Sequence, residues 1–516
     1  MGVVEAVQSK SGLSDGSAPN LNLKTWLPFV LTLSLIYVVF IAAAMQRRLW
    51  YDELFTLDIA NASTSGRVVE LIRKWDLNPP LSYFLSRWSM QIFGHAKLGL
   101  RLPSILEFYA ASLFLFAFAR KHIGNVFASF ALLILWEGPQ FYYAVEARPY
   151  ALLVMFFSIL LFCWDRAISP YRPIWSLAGT FFATLGMMLS HVFGPLSLSA
   201  IFVAEAVRFV RTRKIDLSLW IALLLPCLAM LTYIPLFHIY RPVIFPYRDQ
   251  ASFIQIRLFF QEAIWDSAAV VYATMLAFAV SRNVLEEDRL ARIPPELLTF
   301  ACALLCTPII LNLVLMPGHR AFWPRYCITA AVAMCIVYAF LFAYRSGVGR
   351  PGGYVAAVVV LLFGLRSAVW TIGHGAGTSD GSILTSIKPD LPLVVENGVT
   401  FFELNQFEDA KLLSRAYYLR DRPAAVRYSH GTLFEDFEPP DRLDPEFHIR
   451  AHVDDYGSFI AHHPQFLMLT TGSGRYWLVH KLHDDGQQIE KVADVNIPYE
   501  DSELYIVTVR KPAAMD

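Results

Sequence analysis

Two adjacent carboxylates, Asp52 and Glu53, stand in the run Leu49-Trp50-Tyr51-Asp52-Glu53-Leu54. A carboxylate held beside a hydroxyl can take its proton, and a neighbouring one can orient it. Other chemistry-bearing residues recur further along. Glu146 and Arg148 are the only charges in Tyr142–Tyr150, His191 lies in Ser190-His191-Val192-Phe193-Gly194, and Arg320 and Arg325 stand in Gly318–Tyr326. Asn78 precedes Pro79-Pro80, where Pro79 holds it extended and the second proline can open a helix. An arginine fork matches a phosphate, and each charge-assisted hydrogen bond contributes about 1.5–3 kcal/mol. Acids together with such arginines suit group transfer from a phosphate ester. Plainer readings stand beside this one: a solvated helix start for Asp52-Glu53, an ion pair capping a helix for Glu146 and Arg148, a structural histidine, a simple helix start at Asn78.

The elements that must position these residues are membrane spans. With 56% hydrophobic and 17% charged residues, the chain is too apolar for a soluble multidomain protein. Trp26–Met45 is twenty residues without a charge, enough to cross a bilayer, and it reads as a retained first helix after a polar cytoplasmic segment, residues 1–25. Further apolar runs at Leu102–Ala119, Val126–Val145, Tyr150–Trp164, Ile174–Ser190, Val192–Ala204, Leu217–Phe237, Ala268–Val280, Leu297–Met316, Tyr326–Tyr344 and Tyr354–Ile372 bring the total to about eleven. With Met1 inside, the inner connections carry Arg120, Arg166, Arg208, Arg211, Arg289 and Arg345, as the positive-inside bias asks. Asp52, Glu146, His191 and Arg325 then fall at outer ends. The outer arginines Arg148, Arg241, Arg248, Arg257, Arg320 and Arg325 run against that bias, which suggests a use for them. Glu107, Glu137 and Arg366 lie within spans, at about 2.5–3.5 kcal/mol each if placed centrally, and should face protein or water.

Residues 46–101 form a long first outer loop. Val68, Val69, Leu71, Ile72 and Trp75, then Leu81, Phe84, Leu85, Trp88 and Ile92, recur at helical spacing and predict two amphipathic helices lying in the interface; Phe253, Ile256, Phe260 and Ile264 predict a third. After the span domain, 26–372, residues 373–377 read as a Gly-rich linker, and 378–516 has the composition of a soluble domain. Strands are expected at Pro392–Glu396, Gln465–Thr471 and Glu503–Arg510, with helices at Phe407–Leu419 and Arg475–His483, which makes a small extracytoplasmic α/β domain. The six cysteines show no CxxC spacing, and zero net charge gives no basic surface for nucleic acid.

The ordered set Trp50-Tyr51-Asp52-Glu53, Asn78-Pro79-Pro80-Leu81, Leu100-Arg101-Leu102-Pro103, Glu146-Ala147-Arg148-Pro149-Tyr150, Ser190-His191-Val192-Phe193-Gly194 and Pro324-Arg325-Tyr326 resembles the C-type integral-membrane glycosyltransferases. Within them it is similar to the bacterial relatives of protein O-mannosyltransferases and lipid A aminoarabinose transferases. The resemblance covers Trp26 to Ile372. It implies a polytopic α-helical membrane fold in a bacterial inner membrane, and transfer of a sugar from a polyprenyl-phosphate donor to a protein, lipid or polysaccharide hydroxyl on the non-cytoplasmic face. By that resemblance Asp52 is the general base and Glu53 its companion, orienting acceptor or donor. Glu146, Arg148, His191, Arg320, Arg325 and Tyr326 serve donor and substrate binding. Relatives often have histidine where Asn78 stands; asparagine does not titrate near neutrality, so only a hydrogen-bonding role is implied. No cofactor is required on this reading. Asp52, Glu53 and Glu146 leave a divalent cation open. The alternative is a lipid-linked sugar carrier or flippase that holds the phosphate without chemistry. A carrier needs polar groups along the whole path, whereas these cluster at outer helix ends.

Overall fold

The computed structural model describes residues 23–510, apart from 77, 95–96, 237–242, 247–248, 265–267, 281–293, 346–349, 375–380, 472–475 and 498–499. Residues 1–22 of the expected N-terminal segment, Arg241, Arg248, Arg289 and most of the linker lie outside the described residues. The apolar runs become α1 (Leu23–Ala44), α5 (Lys97–Glu137), α6 (Tyr150–Ala167), α7 (Ile174–Ser190), α8 (Gly194–Thr212), α9 (Leu217–Leu224), α11 (Ala268–Val280), α12 (Pro295–Leu315), α13 (Ile328–Arg345) and α14 (Arg350–His374). The intervening α2 (Tyr51–Asn61), α3 (Ser65–Trp75), α4 (Leu81–Phe93) and α10 (Phe253–Ile264) belong to the loops. Seven helical segments among the described residues are long and apolar enough to cross a membrane.

The runs expected at Leu102–Ala119 and Val126–Val145 are two arms of α5, broken at Gly124, whose φ of 77° is left-handed. The second arm stops at Glu137 because Gly138-Pro139 starts a 3₁₀ turn, Pro139–Ala144, which carries the chain towards Glu146 and Arg148. The ninth helix likewise passes into a 3₁₀ stretch, Leu225–Leu236, around Pro226 and Pro235.

The expected loop helices appear as α3, α4 and α10, with α2 added before them. α4 buries Ser82, Tyr83, Ser86 and Met90 and turns its apolar stripe outward, leaving Trp88, Ile92 and Phe93 exposed. α3 departs from the interfacial expectation. Its Val68, Leu71, Ile72 and Trp75 are buried in a cluster with Tyr51 and Phe55 of α2 and Phe402 and Phe447 of the C-terminal domain. Phe55 and Phe447 lie 4.9 Å apart, and Arg67 pairs with Asp444. The stripe read as lipid-facing is thus the seat of the soluble domain.

That domain is a six-stranded sheet in the order β3-β2-β1-β4-β6-β5, from β1 (Leu393–Val395), β2 (Ala416–Arg420), β3 (His452–Asp455), β4 (Gln465–Thr470), β5 (Gln488–Ile497) and β6 (Glu500–Thr508). β3, β2, β1 and β4 are parallel; β6 pairs antiparallel with β4 and with β5. Side chains alternate along β4, so Leu467 and Leu469 enter one core while Phe466 and Met468 enter the other. The helix expected over Phe407–Leu419 is not formed. One helix, Gly398–Phe407, ends where that segment begins, Asp409 caps a single turn, and the β-prone Tyr417-Tyr418-Leu419 becomes β2.

Candidate active site

α2 begins directly at the carboxylate pair, with Asp52 and Glu53 in its first turn, where the helix dipole favours negative charge. One turn of helix sends the two acids in different directions. Asp52 lines a cavity of about 490 Å³ under the C-terminal domain. Glu53 is fully buried behind it and holds Arg101 with two parallel bonds, Nε to Oε1 at 2.7 Å and Nη2 to Oε2 at 2.6 Å. Its oxygens also accept the N–H of Trp50 at 3.3 Å and of Ala147 at 3.1 Å. Arg101 in turn donates to the carbonyls of Arg47 and Arg48 at 3.0 and 2.8 Å. Glu53 does not line the cavity: its lone pairs are occupied, and it fastens the first loop, α2 and the Glu146 loop to one another.

Arg325 enters from the opposite wall. An antiparallel bridge, Gln250 to Ala321, turns the chain, and Pro324 starts the 3₁₀ turn Pro324–Cys327 that carries the guanidinium inward. Its Nη1 meets Asp52 Oδ2 at 2.9 Å, and the ring of Trp323 lies 4.8 Å from its Cζ. Arg148 does not pair with Glu146. It donates from Nη1 to Asp76 Oδ2 at 2.9 Å and to Tyr83 Oη at 3.0 Å. Asn78 donates from its backbone N–H and its Nδ2 to Asp76 Oδ1, at 2.8 and 2.9 Å. Burial works to raise the Asp76 carboxyl, but Arg148 and the Tyr83 hydroxyl outweigh it and hold it below the usual range. The Nε groups of Arg148 and Arg325 are buried with no hydrogen-bond partner, so both cations have donors to spare.

Glu146 is 1% exposed, and neither of its carboxylate oxygens has a hydrogen-bond partner. Burial first, then the nearby Asp52, pushes its carboxyl up to about 8, so it is largely protonated near neutrality. His191 caps the end of α7, and its Nδ1 accepts the N–H of Phe193 at 3.1 Å. Burial, helped by Arg148, pulls its pKa down to about 3. The neutral ring thus carries its proton on Nε2, as a donor.

Asp52, Asn78, Arg148, His191, Arg325 and Tyr326 all line the cavity. Glu53, Glu146 and Arg320 do not; Arg320 lies on the bridged turn before Trp323. Sequence reasoning missed Asp76, Tyr83 and Glu438. Asp76 had a legible signal, since an acid at the C-terminal end of α3 opposes the helix dipole and needs another partner. Glu438, brought in by the C-terminal domain and pushed up to about 8 by burial, had none. Among the described residues, no group of three or more His, Cys, Asp or Glu side chains is arranged to hold a metal ion.

A family model described as dolichyl-phosphate-mannose-protein mannosyltransferase matches residues 77–235, less than half of the chain. No curated protein sequence matches. ArnT from Cupriavidus metallidurans, in the crystal structure bound to undecaprenyl phosphate, superposes with a TM-score of 0.52 at 14% identity, covering 93% of this chain and 98% of that one. Its apo structure gives 0.51 at 15%, covering 93% and 97%. At these identities the likeness is one of fold. The fold so defined is the one seen in ArnT: a multi-pass helical membrane domain followed by a small C-terminal sheet domain.

Proposed function

We propose that the protein transfers a sugar from a polyprenyl-phosphate donor to an acceptor hydroxyl on the non-cytoplasmic face of the membrane. The observation that carries this is the pairing of Asp52 with Arg325 across a cavity between the membrane helices and the C-terminal domain. The acceptor hydroxyl gives its proton to Asp52 while its oxygen bonds to the anomeric carbon of the sugar. The bond from that carbon to the phosphate oxygen breaks, and the electron pair leaves with polyprenyl phosphate. The growing phosphate charge meets Arg325 and the unused donor of Arg148, while the proton on His191 Nε2 is available to a sugar or phosphate oxygen. Asp76 and Asn78 hold Arg148 in place instead of touching substrate. Protonated Glu146 keeps a second negative charge out of the site. The carrier reading gains no support, because the paired carboxylate and arginines form one closed cluster.

The test is sugar transfer from labelled polyprenyl-phosphate sugars by purified protein with cell-envelope acceptors. Asp52→Asn should lower the rate by about 10²–10⁴-fold, the usual contribution of a positioned base, and Arg325→Ala should lower it severely, with both variants folded and inserted. Donor that crosses the bilayer without transfer, together with full activity in Asp52→Asn, would make the carrier the better account.

A further inference from the structure

A second cavity, of about 470 Å³, lies between the C-terminal domain and the segments that carry Phe245 and Trp323. Strand order explains its place. From β1 the chain moves to β2 and β3 on one side, then returns to β4 on the other side of β1. The chain therefore continues to opposite sides from the neighbouring strands β1 and β4, and in doubly wound sheets such a switch point, at the carboxyl ends of the strands, is where ligands bind. Glu396 and Asn397 follow β1 immediately and line the cavity; Trp477, which opens the helix Trp477–Asp484 after β4, lines it too. Trp323, Val399 and Leu433 line both this cavity and the one that holds Asp52, so the two are neighbours across a single wall.

The lining is specific in its chemistry. Glu396 is 4% exposed; its Oε1 accepts the Val479 N–H at 3.2 Å, and its Oε2 has no hydrogen-bond partner. A buried carboxylate oxygen left over in this way needs a donor from elsewhere. Glu435 supplies a second carboxyl, already engaged by Tyr418 and Trp477. Two helices, Gly398–Phe407 and Trp477–Asp484, also begin at this cavity, and backbone N–H groups at helix starts are donors. An anion would face two carboxyls, and a cation would face two helix N-termini. A neutral ligand rich in hydroxyls both donates to Glu396 and accepts from the helix starts. Phe434, Tyr428 and Trp323 add flat apolar surfaces suited to the ring face of a pyranose.

We infer that this switch-point cavity binds a neutral sugar of the acceptor, placing the chain beyond it over the wall towards Asp52. The assignment of that sugar to the acceptor rests on the glycosyl-transfer reading; the binding itself does not. The experiment is saturation-transfer NMR on the full-length protein in nanodiscs, with methyl glycosides of glucose, mannose and galactose as probes. The probes should receive saturation transfer from both wild type and Asp52→Asn, whereas Glu396→Gln should weaken binding about tenfold, as for loss of one charge-assisted hydrogen bond. Glu435→Gln, in a less buried position, should weaken it as well and guards against misfolding of the first variant. No transfer to any probe, or equal transfer in wild type and both glutamate variants, would overturn the inference. Sugar binding lost in the glutamate variants while Asp52→Asn keeps full transferase activity would sink the catalytic reading and leave the sugar site standing.

Discussion

At the scale of single residues, the first loop separates two neighbouring acids into different tasks. Asp52 faces the cavity and Glu53 faces Arg101, a division that sequence adjacency could not reveal because it depends on which way each side chain leaves one helical turn. Glu146 is the residue whose environment makes the sharpest demand. Its carboxyl keeps its proton up to about 8 in the folded protein, against 4.5 ordinarily, so the folded state binds a proton that the unfolded chain releases. The resulting stability is fully present below 4.5 and is lost as pH rises towards 8, at about 1.4 kcal/mol per pH unit within that window. Thermal unfolding of wild type and Glu146→Gln over this range should give curves that converge with rising pH if the variant starts less stable and diverge if it starts more stable. Parallel curves would show that Glu146 is not held protonated.

At the scale of elements, the Glu53–Arg101 pair binds four segments: the end of the loop after α1, the start of α2, the start of α5 and the turn at Ala147. Glu53→Gln leaves the Arg101 charge fully buried without its counter-ion, which should cost about 3–5 kcal/mol. Unfolding midpoints would register that loss even in the Asp52→Asn background, where transfer is expected to be low already. A variant as stable as wild type would return Glu53 to the reacting groups. Most elements were legible in the sequence because their apolar periodicity is strong: α3, α4 and α10 match the stripes read for them. What the stripe of α3 could not say was whether lipid or protein covers it. Leu71 or Trp75 suits either, and only the fold brings Phe447 to them. In the same way, Phe407–Leu419 carries a helix-compatible pattern that the sheet overrides at Tyr417–Leu419.

Across the whole molecule, the sequence showed a membrane domain and a soluble domain but not that they share a core. Tyr51 and Phe55 of the helix that carries Asp52 pack against Phe402, at 5.5 and 5.6 Å between ring centroids. Phe447→Ala should remove about 3–5 kcal/mol of packing at that junction, and limited proteolysis should then cleave between the domains faster than in wild type. Equal cleavage would mean that the junction is held by its polar rim. The packing of α2 against the soluble domain also bears on waste. On the proposed function a lipid-linked sugar would be lost whenever water took the place of the acceptor, and if Asp52 is the base, one that stands correctly only while the domain is seated would not activate water when it is not. Phe447→Ala should therefore lose donor hydrolysis along with transfer; a variant that transfers less and hydrolyses more would show that the base keeps its post without its neighbour.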